Sequence, residues 1–204
     1  MIPPLCFVTD AEAPLPIPEQ AERAARGGAR WVQLRQKTLD DRAFADLARA
    51  VSARLDPLGA ALILNDRVAL VREVGAAGLH MGQTDGDPAE ARARIGPDAV
   101  LGLSIEAADQ LAAIPPGCVT YLGVGPVRAT STKPDHAPPL GFDGLARIAR
   151  ATDLPCMAIG GLDAPDIPAV RAAGCASVAA VSAISRAADP EAAARAFLDR
   201  WSAP

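Results

Sequence analysis

Aromatic side chains are scarce in this chain: they make up 3% of its 204 residues, although half of all residues are apolar. A core built from such a sequence is aliphatic and alanine-rich, and the bases of a nucleic acid would find few rings to stack on. A basic field is missing as well. Net charge is −4, with acids and bases interspersed, so nothing tracks a polynucleotide backbone. No apolar run approaches the roughly 18 residues that a bilayer span needs. Met1-Ile2-Pro3-Pro4 lacks the charged and apolar segments of a secretory leader. The expectation is a cytoplasmic protein with neither nucleic-acid nor membrane partners. The cysteines Cys6, Cys118, Cys156 and Cys175 have no metal-type spacing, and each lies in or beside an expected strand, as buried reduced thiols do. With only two histidines, the chain offers no convincing Ser-His-Asp or Cys-His arrangement. Lysine also occurs only twice, at Lys37 and Lys133; every other cationic side chain is arginine.

What is present is alternation. Apolar runs with strand character fall at Leu5–Thr9, Trp31–Arg35, Ala60–Leu64, Gly78–Met81, Val100–Ser104, Val119–Val124, Pro155–Ile159 and Ser177–Val181. They are nearly continuous rather than alternating, as expected of parallel strands covered by helices. Helical patterns fill the gaps: Phe44, Leu47, Val51 and Leu55 share one face, and Leu145, Ile148 and Ala149 share another. Asp87-Pro88 with Glu90, Asp163 with Pro165, and Asp189-Pro190 read as helix starts, an N-cap followed by a first-turn proline. Gly27-Gly28, Gly75 and Gly174 read as helix ends. Eight strand–helix units in a chain of this length specify an α/β fold, a single (β/α)8 TIM barrel spanning residues 1–204. A doubly wound open sheet is the alternative, but it does not usually need eight evenly spaced units. No linker or second domain interrupts the pattern; the longest irregular stretch is Thr130–Gly141.

In such a barrel, chemistry belongs at the C-terminal ends of the strands. Strand two ends in Gln33-Leu34-Arg35-Gln36-Lys37, with Gln33 and Arg35 on the side of the barrel interior or its mouth. Strand three ends in Asn65-Asp66-Arg67, carrying the only asparagine, and strand four in His80-Met81-Gly82-Gln83-Thr84-Asp85. Asp66 could cap the next helix, and Asp85 could be a solvated loop acid. Both follow adjacent strands, however, and two carboxylates without histidine partners suit hard Mg²⁺, which keeps waters and binds substrate phosphates. His80, inside its strand, reads as a satisfied core imidazole rather than a ligand. Strand five ends at Ser104, strand seven at Gly160-Gly161, and strand eight at Val181-Ser182. Glycines after strand seven with a serine after strand eight suit the phosphate site of many barrels.

Strand six breaks at Gly125-Pro126 into Val127-Arg128-Ala129-Thr130-Ser131-Thr132-Lys133, where hydroxyls and a lysine crowd together. Such groups donate to anionic oxygens. Two anion sites therefore emerge: a metal-assisted one with Asp66, Asp85, Lys37 and Lys133, and a metal-free cradle with Gly161, Ser182 and the hydroxyl loop. Two phosphorylated small molecules, one a pyrophosphate with Mg²⁺, are the expected partners.

These residues occur in an order that resembles a known family. Gln33-x-Arg35-x-Lys37, Asn65-Asp66-Arg67, Gly82-Gln83-x-Asp85, Gly102-x-Ser104, Gly125-Pro126-Val127-x-x-Thr130-x-Thr132-Lys133, Ile159-Gly160-Gly161 and Val181-Ser182-Ala183-Ile184 are similar to the motifs of thiamine phosphate synthases, over nearly the whole chain. The resemblance implies a (β/α)8 barrel and a transferase of thiamine biosynthesis. Such enzymes join hydroxymethylpyrimidine pyrophosphate to hydroxyethylthiazole phosphate, or its carboxylated precursor, and release pyrophosphate. It further implies that Gln33, Arg35, Lys37, Asn65 and Lys133 hold the pyrimidine pyrophosphate and that Asp66 and Asp85 bind Mg²⁺. Ser104 would contact the pyrimidine, and Thr130, Thr132, Gly161 and the Val181-Ser182 backbone would hold the thiazole phosphate. Lys37, Lys133, Arg35 and Ser104 would form the catalytic set. A homo-oligomer is compatible with all of this.

The chain departs from the family pattern at two places. Glu106 stands where a histidine is usual, and Arg128-Ala129 where an aromatic and a proline are common. Arg128 would either add a cation near the phosphates or change how the loop covers the site. A thiazole tautomerase-like isomerase, whose acid–base histidine would fall at Glu106, and a non-catalytic thiamine-precursor binding protein are the alternatives. The paired acids and Lys37 argue against both.

Overall fold

The apolar runs pair in chain order and close on themselves. In the computed structural model, which describes residues 1–130, 132 and 137–203, the strands are β1 (Leu5–Val8), β2 (Trp31–Leu34), β3 (Ala61–Asn65), β4 (Gly78–Met81), β5 (Val100–Ile105), β6 (Tyr121–Val124), β7 (Cys156–Ala158) and β8 (Ser177–Ala180). Each is parallel to its neighbour, and β1 pairs with β8 as well as β2, closing the barrel. Closure removes both sheet edges and buries each strand on two faces, which is why the runs are continuously apolar.

Two apolar layers result. Cys6, Val8, Tyr121, Met157 and Ala179 pack inside the barrel. Phe7, Phe44, Leu55, Leu122 and Phe197 belong to the shell between strands and helices. That shell is completed by α1 (Ile17–Arg26), α2 (Asp41–Leu55), α3 (Leu70–Glu73), α4 (Pro88–Ile95), α5 (Gly141–Arg150), α6 (Ile167–Ala172), α7 (Ser182–Ser185) and α8 (Pro190–Ser202). Phe44, Val51 and Leu55 are fully buried on α2, as their spacing requires, with Leu47 at the margin. Asp87 and Asp189 cap α4 and α8 by accepting from the N–H groups of Ala89 (2.8 Å) and Ala192 (3.1 Å).

Three expectations are corrected in detail. The segment between β5 and β6 is a 3₁₀ helix, Ala108–Ala113, rather than an α-helix. Pro115-Pro116-Gly117 follows one residue later, after Ile114, which blocks helical continuation and leaves too little chain for another turn. Ahead of α6 the chain first forms a 3₁₀ turn, Ala164–Asp166, and the Asp166 carboxylate accepts from the Asp163 N–H at 2.9 Å. Strand β6 begins at Tyr121 rather than Val119, because Thr120 is occupied in bridging Leu101 and Arg92.

The cysteines behave as buried thiols. Burial pushes Cys6 and Cys175 up to about 12 and Cys156 to about 11, so none of these three is a thiolate at neutral pH, and Cys118 is half-buried. Among the described residues, no helix is long and apolar enough to cross a membrane.

The seam between β1 and β8 is held by a buried charge. Asp10, 4% exposed, accepts from Arg186 Nε at 2.8 Å, Ser185 Oγ at 3.2 Å and the Glu12 N–H at 3.0 Å. Burial alone would raise its pKa, but these donors outweigh burial and hold the carboxyl below its ordinary value. A depressed folded pKa means stability that is present above the unfolded value of about 4 and lost as pH falls through the folded one. Denaturant titrations at descending acid pH should therefore show a steeper stability loss in wild type than in Asp10→Asn.

Candidate active site

Period-two alternation decides which residues of each strand face the barrel interior. Gln33 on β2 shares that side with Trp31, and Asn65 on β3, His80 on β4 and Ser104 on β5 complete a polar layer at the C-terminal ends. Above this layer lies a cavity of about 490 Å³. Gln33, Arg35, Lys37, Asn65, Asp66, Asp85 and Ser104 line one side of it. Thr130, Thr132, Gly161, Val181 and Ser182 line the other. Every site residue expected from the sequence thus reaches one cavity except Lys133, which lies outside the described residues. Glu106 also lines it.

The acidic pair has the properties of a cation site. Asp66 and Asp85 stand close enough to share a proton. Burial and the neighbouring Asp85 push Asp66 up to about 6. Burial would raise Asp85 too, but its hydrogen bonds with Asp66 and the Gly82 N–H leave it below the usual carboxylate value. Lys37 Nζ is 3.6 Å from Asp66 Oδ2, a partial neutraliser on an exposed stem. No cluster of three or more metal-ligating side chains occurs among the described residues. Two carboxylates and no sulfur or imidazole donor fit a hard divalent ion such as Mg²⁺, whose remaining positions go to water and substrate oxygens. Asp66 does not cap a helix. Ala69 precedes α3, and Asp66 adopts a left-handed φ of 65°, the one positive φ outside glycine among the described residues. Asp85 is no freely solvated acid either: its Oδ2 accepts from the Gly82 N–H at 2.6 Å.

The opposite side is built by close backbone approach. Val127 and Arg128 donate their N–H groups to the Ile159 and Gly160 carbonyls, both at 2.9 Å. The loop after β6 is thereby laid onto the glycine pair after β7. A Cβ on Gly160 would sit 2.5 Å from Pro126 Cβ, and one on Gly161 would sit 2.7 Å from the Ala129 carbonyl oxygen. Both have positive φ, 102° and 63°. The pair does more than turn the chain; it lets the threonine loop come in. Within that loop, the Thr132 N–H donates to Thr130 Oγ1 at 3.2 Å. Ser182 opens the single turn of α7, so its N–H and that of Ala183 have no carbonyl inside that turn to donate to.

Arg128 adds no cation to the cavity. Its guanidinium forms two parallel bonds to Asp166, at 2.8 and 2.7 Å, and lies 5.3 Å over the Phe142 ring. It ties the base of the threonine loop to the turn before α6, which settles the two readings of this departure in favour of loop placement.

Sequence reasoning missed the floor of the cavity. His80 is a satisfied core imidazole as expected, yet it also lines the cavity. Its Nδ1 is 2.9 Å from the Tyr121 hydroxyl and its Nε2 is 3.0 Å from Ser104 Oγ. Burial lowers its pKa to about 4, so the ring is neutral at neutral pH. A Cβ on Gly102 would lie 2.3 Å from Tyr121 Cζ and one on Gly123 2.8 Å from His80 Cε1. Glycines inside strands were the available signal, since they mark close approach of another group. Gln83 Nε2 donates to the Ser104 carbonyl at 2.5 Å, fixing the same strand end.

A sequence model described as thiamine monophosphate synthase matches residues 5–184. The chain belongs to that family. It is 41% identical over 195 residues to the thiamine-phosphate synthase of Vibrio parahaemolyticus, covering 95% of this chain and 96% of that one. It is 48% identical over 173 residues to that of Solidesulfovibrio magneticus, covering 85% and 82%. Among solved structures, thiamine phosphate pyrophosphorylase from Pyrococcus furiosus superposes with a TM-score of 0.87 at 25% identity, covering 97% of this chain and 95% of that one. Within this thiamine monophosphate synthase family member, the matched segment spans every strand and both walls of the cavity.

Proposed function

We propose that the protein is a thiamine-phosphate synthase that condenses 4-amino-2-methyl-5-hydroxymethylpyrimidine pyrophosphate with hydroxyethylthiazole phosphate, or its carboxylated precursor. The observation that carries this reading is that one cavity is lined both by the acidic pair with its cationic neighbours and by the hydroxyl-and-glycine loops. Asp66, Asp85, Lys37 and Arg35 line one wall, and Thr130, Thr132, Gly161 and Ser182 the other. Two phosphorylated molecules held in this one cavity would be brought together, so that binding would supply the orientation that the reaction needs.

The bond broken is the pyrimidine methylene C–O bond, whose electron pair leaves with pyrophosphate. The bond formed joins that methylene to the thiazole nitrogen, which supplies the pair and ends as a thiazolium. Mg²⁺ held by Asp66 and Asp85 would neutralise charge on the leaving pyrophosphate. Lys37 and Arg35 add fixed positive charge beside the same oxygens, with Lys133 assigned there by its motif. Gln33 and Asn65 hold the pyrimidine pyrophosphate from the barrel side. Ser104 contacts the ring, and the threonine loop with Gly161, Val181 and Ser182 fixes the thiazole phosphate. No protein nucleophile is required, and His80, held down to about 4 by burial, is a poor base for activating Ser104.

The test is pyrophosphate release from the two purified substrates, with and without Mg²⁺. Product that depends on both substrates and on the metal is expected. A protein that binds both compounds and releases nothing would overturn the reading.

A further inference from the structure

We propose that Tyr121 and His80 act as positioning residues that fix Ser104 as a hydrogen-bond donor toward the cavity, so that Ser104 selects an unprotonated ring nitrogen of a heteroaromatic substrate. The substrate half of this statement rests on the function proposed above; the polarity of the three-residue chain does not.

The protons available fix the polarity of the chain. Tyr121 is fully buried, and its hydroxyl has one hydrogen-bond partner among the described residues, His80 Nδ1 at 2.9 Å. If the hydroxyl only accepted, its own proton would be buried with no acceptor among the described residues. A buried donor left without an acceptor is destabilising. The hydroxyl therefore donates to Nδ1. A neutral imidazole has one donor and one acceptor nitrogen, so the ring proton sits on Nε2. Nε2 then donates to Ser104 Oγ across 3.0 Å. With its oxygen accepting from the ring, Ser104 is left with a hydroxyl proton to present, and it lines the cavity.

The ring is held in this orientation. A Cβ on Gly102 would fall 2.5 Å from His80 Nδ1, and a Cβ on Gly123 3.3 Å from Nε2, so both glycines admit the imidazole edge-on between β5 and β6. The opposite tautomer would reverse the chain: Ser104 would donate to Nε2 and offer only lone pairs to a ligand. Such a serine would select an amino group. An aminopyrimidine displays both kinds of atom on one edge, so the tautomer of a buried histidine decides which atom Ser104 meets.

The test uses the full-length protein labelled with ¹⁵N. The chain has two histidines, and a His136→Gln variant assigns the signals. Long-range ¹H–¹⁵N correlations at neutral pH should show His80 protonated on Nε2, with Nδ1 as the acceptor. In Tyr121→Phe the ring should shift toward the Nδ1-protonated form. The KM for the pyrimidine pyrophosphate should rise about tenfold, the worth of one hydrogen bond, with the KM for the thiazole phosphate unchanged. Finding Nδ1–H in the wild type overturns the proposal, as does an unchanged tautomer and pyrimidine KM in Tyr121→Phe. If that variant fails to fold, the wild-type spectrum alone decides. An Nε2–H signal in a protein without synthase activity leaves the polarity standing and removes the function; Nδ1–H in an active enzyme does the reverse.

Discussion

Asp85→Asn loses magnesium-dependent turnover while the barrel stays folded. The amide oxygen that replaces Oδ2 can still accept from the Gly82 N–H, which the carboxylate receives at 2.6 Å, so the turn after β4 survives. What disappears is one of the two charges that face each other across the proposed cation position. Burial first, and then the neighbouring Asp85, push Asp66 up to about 6, and without a cation the two carboxylates repel. The variant should therefore be at least as stable as wild type in the absence of metal. Wild type should gain thermal stability when Mg²⁺ is added, because a ligand that binds only the folded state stabilises it; the variant should show no such gain. Metal neutralisation of a leaving group is worth several kcal/mol, and roughly 4 kcal/mol corresponds to about a thousandfold in kcat/KM. Turnover equal to wild type would remove Asp85 from the metal assignment. An Mg²⁺-dependent rise in melting temperature that persists in the variant would do so independently of any assay of the reaction.

Gly160→Ala is the second substitution with a large expected effect, and it acts through backbone rather than charge. At φ 102° an L-residue is strained whatever its surroundings. Here the surroundings are also closed: the new methyl would lie 2.5 Å from Pro126 Cβ, 2.6 Å from Pro126 Cα and 3.1 Å from the Val127 nitrogen. Backbone atoms cannot rotate away as a side chain does, so the loop after β6 must move off the turn after β7. The bond from the Arg128 N–H to the Gly160 carbonyl, at 2.9 Å, goes with it. Strain and overpacking together should cost on the order of 3 kcal/mol in denaturant unfolding. Because Thr130 and Thr132 ride on the displaced loop, the KM for the thiazole phosphate should rise by about tenfold or more, while that for the pyrimidine pyrophosphate changes little. Gly59→Ala is the control. Gly59 also has positive φ, 62°, but a Cβ there meets nothing within 4 Å, so only about 1 kcal/mol of backbone strain is expected.

The barrel and most of the cavity lining were legible in the residues alone, for one reason. Parallel strands buried on both faces announce themselves as short continuous apolar runs, and in a barrel every such run ends on the same side. Gln33, Arg35, Asn65, Asp66, Asp85 and Ser104 could be gathered by reading strand ends in turn, without knowing any distance. Glycine and proline after β6 marked where the hydroxyl loop begins. Local sequence also placed the caps of α4 and α8, since an aspartate before a first-turn proline states its own hydrogen bond.

Contacts between strands needed the closed structure. His80, Ser104 and Tyr121 come from β4, β5 and β6, and only the register of those pairs puts an imidazole between two hydroxyls. Gly102 and Gly123 are ordinary strand glycines until that register shows what presses against them. Asp66 could also have been a helix cap; its left-handed backbone, a property of the loop after β3, is what the sequence did not show. Arg128 is the clearest case. As a residue beside a phosphate-type loop it could turn either way, and the carboxylate of Asp166, 38 positions away, decides the direction. Alternation and turn chemistry are encoded within a few residues. Which tautomer, which ion pair and which backbone approach occur depends on groups that meet only when the eighth strand closes on the first.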